Sequence, residues 1–156
     1  IEENLPRNLT HIILTHAHFD HVGALEAVHK AHPAALFAVG EHEPLDSVYT
    51  FYSHPDLIIP HLDLTLADGD VIGPFKVIHT PGHTKGSICL YSAKDQLLLS
   101  GDTLFCDGYG RTDLGGSMTD MQASLARLSQ LPPETKVLPG HGDPTTIGRE
   151  FNHSIS

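Results

Sequence analysis

The stretch that most constrains this chain is residues 13–25, ILTHAHFDHVGAL, where an apolar run ends in three histidines and an aspartate within six positions. The preceding THIILT, residues 10–15, is β-branched and apolar and is expected to be a buried strand. His16, His18, Asp20 and His21 therefore stand where a rigid strand hands the chain to a loop, the usual place for chemistry. The chain has 13 histidines in 156 residues, so some neighbours arise by chance. The reading turns on whether matching donors recur elsewhere, and they do. A strand at 75–79 runs into TPGHTKGS with His83, one at 96–100 into GDTLF with Asp102, and one at 135–138 into PGHGD with His141. Each loop contains glycine, which lets the backbone turn sharply and approach a site closely.

The spacing points to metal. His16 and His18 are two apart and project to one side of an extended chain, and Asp20 shares that phase. His21 does not, so a turn inside the motif would divide it between two neighbouring ions. Seven imidazole and carboxylate donors overfill one ion and suit two. One ion would take His16, His18 and His83, and the other Asp20, His21 and His141, with Asp102 bridging through its two oxygens. Nitrogen and oxygen donors without thiolate favour Zn²⁺, with Fe or Mn as alternatives. The other eight histidines, His11, His29, His32, His42, His54, His61, His79 and His153, are read as surface or packing residues, with His79 and Asp68 the two most open to a supporting role.

The remaining elements follow from periodicity and breakers. Val22, Leu25 and Val28 predict a helix over 22–32 that ends at Pro33. AALFAV is expected to be a strand, and EPLDSVYTFY a short helix. Leu62, Leu64 and Leu66 alternate with polar residues before Asp68-Gly69 turns the chain. Residues 87–92 and 96–100 form a hairpin, and a glycine-rich loop covers 101–116. MTDMQASLARLSQL is amphipathic, capped by Ser117 or Thr119. A terminal helix is expected over 145–151. Strands and helices mixed around an antiparallel middle imply an α/β layered domain rather than a doubly wound parallel sheet.

Composition excludes some functions. The formal charge of −10, without a basic stretch, argues against nucleic acid. No apolar run approaches the roughly 20 residues that span a bilayer, so no membrane partner is expected. The opening IEENLPRNLT is polar and unlike a signal peptide. The two cysteines, Cys89 and Cys106, form no spaced motif, and a reducing cytoplasmic setting is the default.

THAHFDH, PGHTKGS, SGDTLF and PGHG together resemble the ordered motifs of the metallo-β-lactamase superfamily, over residues 9–150. GDTLFCDGYGRTDL and PGHGDPTTIGRE look like its glyoxalase II-like branch, the hydroxyacylglutathione hydrolases. The resemblance implies one αββα sandwich domain over 1–156 with the metals at one edge, and the ligand division argued above. It implies hydrolysis of a thioester such as S-lactoylglutathione, or a related hydroxyacyl-glutathione, by a hydroxide bridging the metals. Asp20 would orient that hydroxide as well as bind metal, and Cys106 is read as a loop residue rather than a nucleophile. Arg111 stands where relatives carry a basic residue that contacts glutathione. The resemblance also implies strands before the first histidine motif. The sandwich is therefore expected to be N-terminally truncated, leaving the strand at 10–15 as an exposed edge open to self-association. Two other readings compete: a mononuclear-iron persulfide dioxygenase with similar motifs, and an inactive truncated fragment.

Overall fold

The computed structural model describes residues 7–151. Strands β1 (His11–Ile13), β2 (Leu36–Gly40) and β3 (Leu64–Leu66) lie side by side in that order as a parallel sheet. A second sheet starts with β4 (Val71–Ile72), β5 (Phe75–His79), β6 (Ile88–Ser92) and β7 (Leu97–Gly101). The chain then forms a small hairpin, β8 (Leu104–Phe105) and β9 (Gly108–Tyr109), before β10 (Lys136–Pro139) and β11 (Thr145–Thr146) rejoin the second sheet. Its spatial order is β11-β10-β7-β6-β5-β4, antiparallel except where β10 runs alongside β7. Helices α1 (Phe19–Val22), α2 (Leu25–Ala31), α3 (Val48–Phe51), α4 (Met118–Leu128) and α5 (Ile147–Phe151) complete the elements.

Both faces of the central strands are covered, which explains why they read as continuous apolar runs. Successive side chains leave a strand on opposite faces. Val77 of β5 packs with Ala38, Leu66, Ile88 and Leu90 between the two sheets. Its neighbour Ile78 packs with Cys89, Leu98, Leu128 and Ile147 beneath α4 and α5. In β2, Ala38 faces the second sheet, while Phe37 and Val39 pack outward with Val22 and Leu25 of α1 and α2. The layers are therefore helix, sheet, sheet, helix: the αββα sandwich that the motifs imply. β1 is the edge strand of its sheet among the described residues.

Several boundaries differ from the sequence reading. The helix expected over 22–32 starts earlier and is broken into α1 and α2 at Gly23-Ala24. The break lies where a Cβ on Gly23 would come within 3.2 Å of His54 Nε2. The turn at Asp68-Gly69 does not close a hairpin: β3 and β4 belong to different sheets, and the chain crosses between them there. The loop at 101–116 contains the β8–β9 hairpin, with Asp107 in the left-handed conformation at φ 63°. Thr145 and Thr146 are strand rather than helix, held by pairing with β10. Ser117, not Thr119, caps α4, accepting the Asp120 N–H at 3.2 Å. His153 lies outside the described residues.

Candidate metal centre

All seven donors sit just beyond the carboxyl ends of strands, along the edge where the two sheets converge. There the Ile88 N–H donates to the Thr15 carbonyl at 3.0 Å, joining the sheets. The first motif divides at its turn into the helix, which carries Asp20 away from the extended phase it shares in sequence with His16 and His18. His16 and His18 lie on the extended exit from β1, and His18 is the extended N-cap of α1 (ψ 156°). Asp20 and His21 lie on α1 itself. The switch from extended to helical chain turns the second pair away from the first.

The result is two clusters. His16, His18 and His83 each place a ring nitrogen within 4.8 Å of the others, and Asp20, His21, Asp102 and His141 form a second group by the same measure. Asp102 joins them. Its Oδ2 lies 3.6 Å from His16 Nε2, and 3.3 Å from each of His21 Nε2, His83 Nε2 and His141 Nε2. Asp20 Oδ2 is 2.9 Å from His141 Nε2. The first cluster is buried, whereas the second opens toward solvent, His141 being 52% exposed against 5% for His18.

The donor set fits divalent cations. His18 Nε2 donates to the Leu114 carbonyl (3.1 Å) and His83 Nδ1 to the Arg111 carbonyl (2.6 Å). Those bonds leave the opposite nitrogens, His18 Nδ1 and His83 Nε2, to face each other at 3.0 Å. A cation between them would take a donor from each ring. Such outer bonds fix tautomer and ring orientation in metal sites. His16 Nε2 and Asp102 Oδ1 are buried with no hydrogen-bond partner, and a buried polar atom rarely stays unpaired. Burial, with help from His21, drives His16 down to about 2, and burial also lowers His18, so both present neutral imidazole. Burial alone would raise Asp102, but its bond to His21 and the charges of the surrounding histidines hold it below the usual carboxylate range. Burial would lower His21, but Asp102 and Asp20 outweigh it and raise it.

Two glycines give Asp102 its room. A Cβ on Gly140 would come within 2.4 Å of Asp102 Oδ1, and one on Gly110 within 1.9 Å of the Asp102 carbonyl oxygen. In front of the donors lies a cavity of about 340 Å³, walled by Phe19, Phe105, Arg111 and Leu114. Arg111 is thus at the cavity, and it contributes in two ways. Its carbonyl orients His83, while its guanidinium forms a two-pronged pair with Asp113, Nε to Oδ1 at 2.6 Å and the second nitrogen to Oδ2 at 2.7 Å. Cys106 lies outside the cavity wall. With Asp107 and Glu150 it makes a third donor group, but the Arg149 guanidinium lies 2.7 Å from Cys106 Sγ and bonds both carboxylates. That group is an ion-pair network already supplied with its cation. His79 and Asp68 brace the loop rather than the ligands: His79 Nε2 donates to the Lys85 carbonyl at 2.9 Å, and Asp68 accepts the His79 N–H. The sequence reading passed over Glu43, whose carboxylate reaches the loop of His83.

The sequence pattern of the metallo-beta-lactamase superfamily matches residues 2–141. A hydroxyacylglutathione hydrolase of Rhizobium etli is 40% identical over 137 residues, covering 85% of this chain and 48% of its own length, so the chain spans about half of that relative. Among solved structures, TTHA1623 in a di-iron-bound form superposes with a TM-score of 0.79 at 39% identity, covering 92% of this chain and 74% of that one. ETHE1 from Myxococcus xanthus superposes at 0.75 with 31% identity, covering 97% and 63%.

Proposed function

Because the chain belongs to the metallo-beta-lactamase superfamily, we propose that it is a dinuclear metal-dependent hydrolase acting on a thioester of the hydroxyacylglutathione kind. The observation that carries the dinuclear reading is Asp102 Oδ2, which stands between imidazoles of both clusters. His16, His18 and His83 would hold one cation, Asp20, His21 and His141 the other, and Asp102 both. Bound there, such cations supply Lewis-acid activation of a water and of a carbonyl oxygen. The nitrogen and oxygen donor set supports zinc, while the di-iron form of a 39% identical neighbour makes iron the principal competitor.

The thioester reading rests on the hydroxyacylglutathione hydrolase relative and on the chemistry of the cavity. Asp20 borders the cavity, its Oδ2 2.9 Å from His141 Nε2, and would orient the attacking hydroxide as well as bind metal. Arg111 lines the cavity and would meet a substrate carboxylate in exchange for Asp113. A thiolate is a good leaving group, its conjugate acid having a pKa of about 8.5, so no strong general acid is required. The two free thiols suit a reducing compartment.

The test is metal analysis of the purified, metal-supplemented chain beside its turnover of S-lactoylglutathione. Two ions per chain with hydrolysis is the expected result. One iron per chain with oxygen consumption on a persulfide would replace this reading with a dioxygenase. Arg111→Ala should raise KM for the glutathione thioester more than for an uncharged thioester; an equal effect on both removes Arg111 from substrate recognition.

A further inference from the structure

We infer that Glu43 is a positioning residue for the three-histidine cluster, a carboxylate that ties together the two loops carrying those histidines. Glu43 ends a tight turn after β2, its N–H donating to the Gly40 carbonyl at 3.0 Å. Its Oε2 accepts the Thr84 hydroxyl at 2.6 Å, and Ala17, whose main-chain N–H favours the charged carboxylate, lines the same cavity as Glu43 and Thr84. Ala17 stands between His16 and His18, and Thr84 follows His83. One side chain therefore bonds the residue after His83 and neighbours the residue between His16 and His18, without belonging to either donor cluster.

The surroundings hold it there. Ser87 Oγ accepts the Thr84 N–H (3.1 Å) and lies 2.7 Å from Thr84 Oγ1. The Thr84 hydroxyl already donates to Glu43, so Ser87 donates to it, and the hydrogen-bond chain runs from Ser87 through Thr84 to the carboxylate. The two turns touch backbone to backbone. A Cβ on Gly86 would lie 2.1 Å from Glu43 N, and one on Gly40 would lie 2.3 Å from the Gly86 carbonyl oxygen. Only glycine at both places permits this approach. The bond is also long-range, joining residues 41 positions apart, and it links a turn of the first sheet to a loop of the second. Fixing both loops before a cation arrives lowers the ordering cost that binding would otherwise incur.

The inference rests on the metal reading above, and the experiment separates the two. Zn²⁺ is titrated by calorimetry into the metal-free chain in two backgrounds. His141→Ala leaves the three-histidine cluster; His16→Ala leaves the cluster of Asp20, His21 and His141. In the first background, Glu43→Ala should weaken binding about 10- to 100-fold, the usual effect of losing an outer partner. Thr84→Val, which removes one hydroxyl at constant volume, should weaken it in the same direction even if Glu43→Ala folds poorly. Glu43→Gln keeps an acceptor oxygen and should bind close to the parent. In the second background, Glu43→Ala should leave affinity unchanged. Equal losses in both backgrounds, or a Gln variant no better than Ala, would mean that Glu43 merely supports the fold. A parent that binds two ions while Glu43→Ala and Thr84→Val match it would overturn the inference alone. A parent that binds none would overturn the metal reading and the inference with it.

Discussion

Asp102 is where the two clusters depend on a single side chain. Its Oδ2 faces four imidazoles while its Oδ1 is buried without a partner, so truncation removes a contact from both sites at once. Asp102→Ala should lower the content from two ions to one or fewer, read by elemental analysis of the folded variant; retention of both would show that the bridge is dispensable. Glu43 yields a prediction of a different kind. Burial, opposed by its bond to Thr84 and by the nearby Ala17 N–H, raises its pKa from 4.5 to about 7. The folded chain therefore holds a proton there that the unfolded chain releases near 4.5. This contribution to stability is fully present below about pH 4.5 and is lost as the pH rises through 7. Glu43→Gln cannot ionise. Relative to the parent, the metal-free variant should be indifferent near pH 4.5 and about 1–2 kcal/mol more stable at pH 8, allowing for the partial solvent contact of the group. Chemical denaturation at the two pH values measures it, and a constant offset between variant and parent would refute the titration.

At the scale of elements, the donor loops are held by what packs behind them. The Ser117 N–H donates to the Gly82 carbonyl at 2.8 Å, and Ser124 Oγ donates to the Pro81 carbonyl at 2.7 Å, so α4 is fastened to the loop that carries His83. Gly82 has φ +153°, and a Cβ there would come within 2.6 Å of Met121 Cα. Gly82→Ala should push α4 from the loop, lowering the melting temperature and His83-dependent metal binding together. A variant that melts lower but binds metal normally would show that helix and loop are not coupled. Much of this level was legible in the chain. β5, β6 and β7 read directly because both faces are covered and their runs are apolar, and α4 because Met121 and Leu128 recur on one stripe above polar neighbours. The break in the first helix was not legible: it falls where His54 lies against Gly23, a contact made only once the fold exists. The β8–β9 hairpin did carry a signal, Asp107-Gly108, which the surrounding glycines masked. The seven candidate donors stood out in the chain because they fall in four short segments, each following a strand. Glu43 did not, because its role lies in contacts with segments distant in sequence, and nothing next to it marks that.

For the whole molecule, the clusters join parts that are remote along the chain: His18 meets His83 across 65 positions, and His21 meets His141 across 120. Bound cations should therefore act on global stability. At free metal about 100 times the dissociation constant, linkage contributes about 2.7 kcal/mol per site, and for a chain of this size that is on the order of 5–10 °C in melting temperature. Scanning calorimetry before and after exhaustive chelation should show at least that fall, and superimposable traces would mean that the clusters are preformed without cations and bind them weakly. The crossing at residues 67–70 adds a further consequence. Among the described residues it is the one passage of the chain from the first sheet to the second. Cleaved there, the chain would yield two complementary half-molecules, each with one sheet and one helical layer. One would carry His16, His18, Asp20, His21 and Glu43, and the other Thr84, His83, Asp102 and His141. Neither half could close a cluster by itself, so their reassembly should be driven by divalent cation, with the ion replacing the severed peptide link as the tie between them.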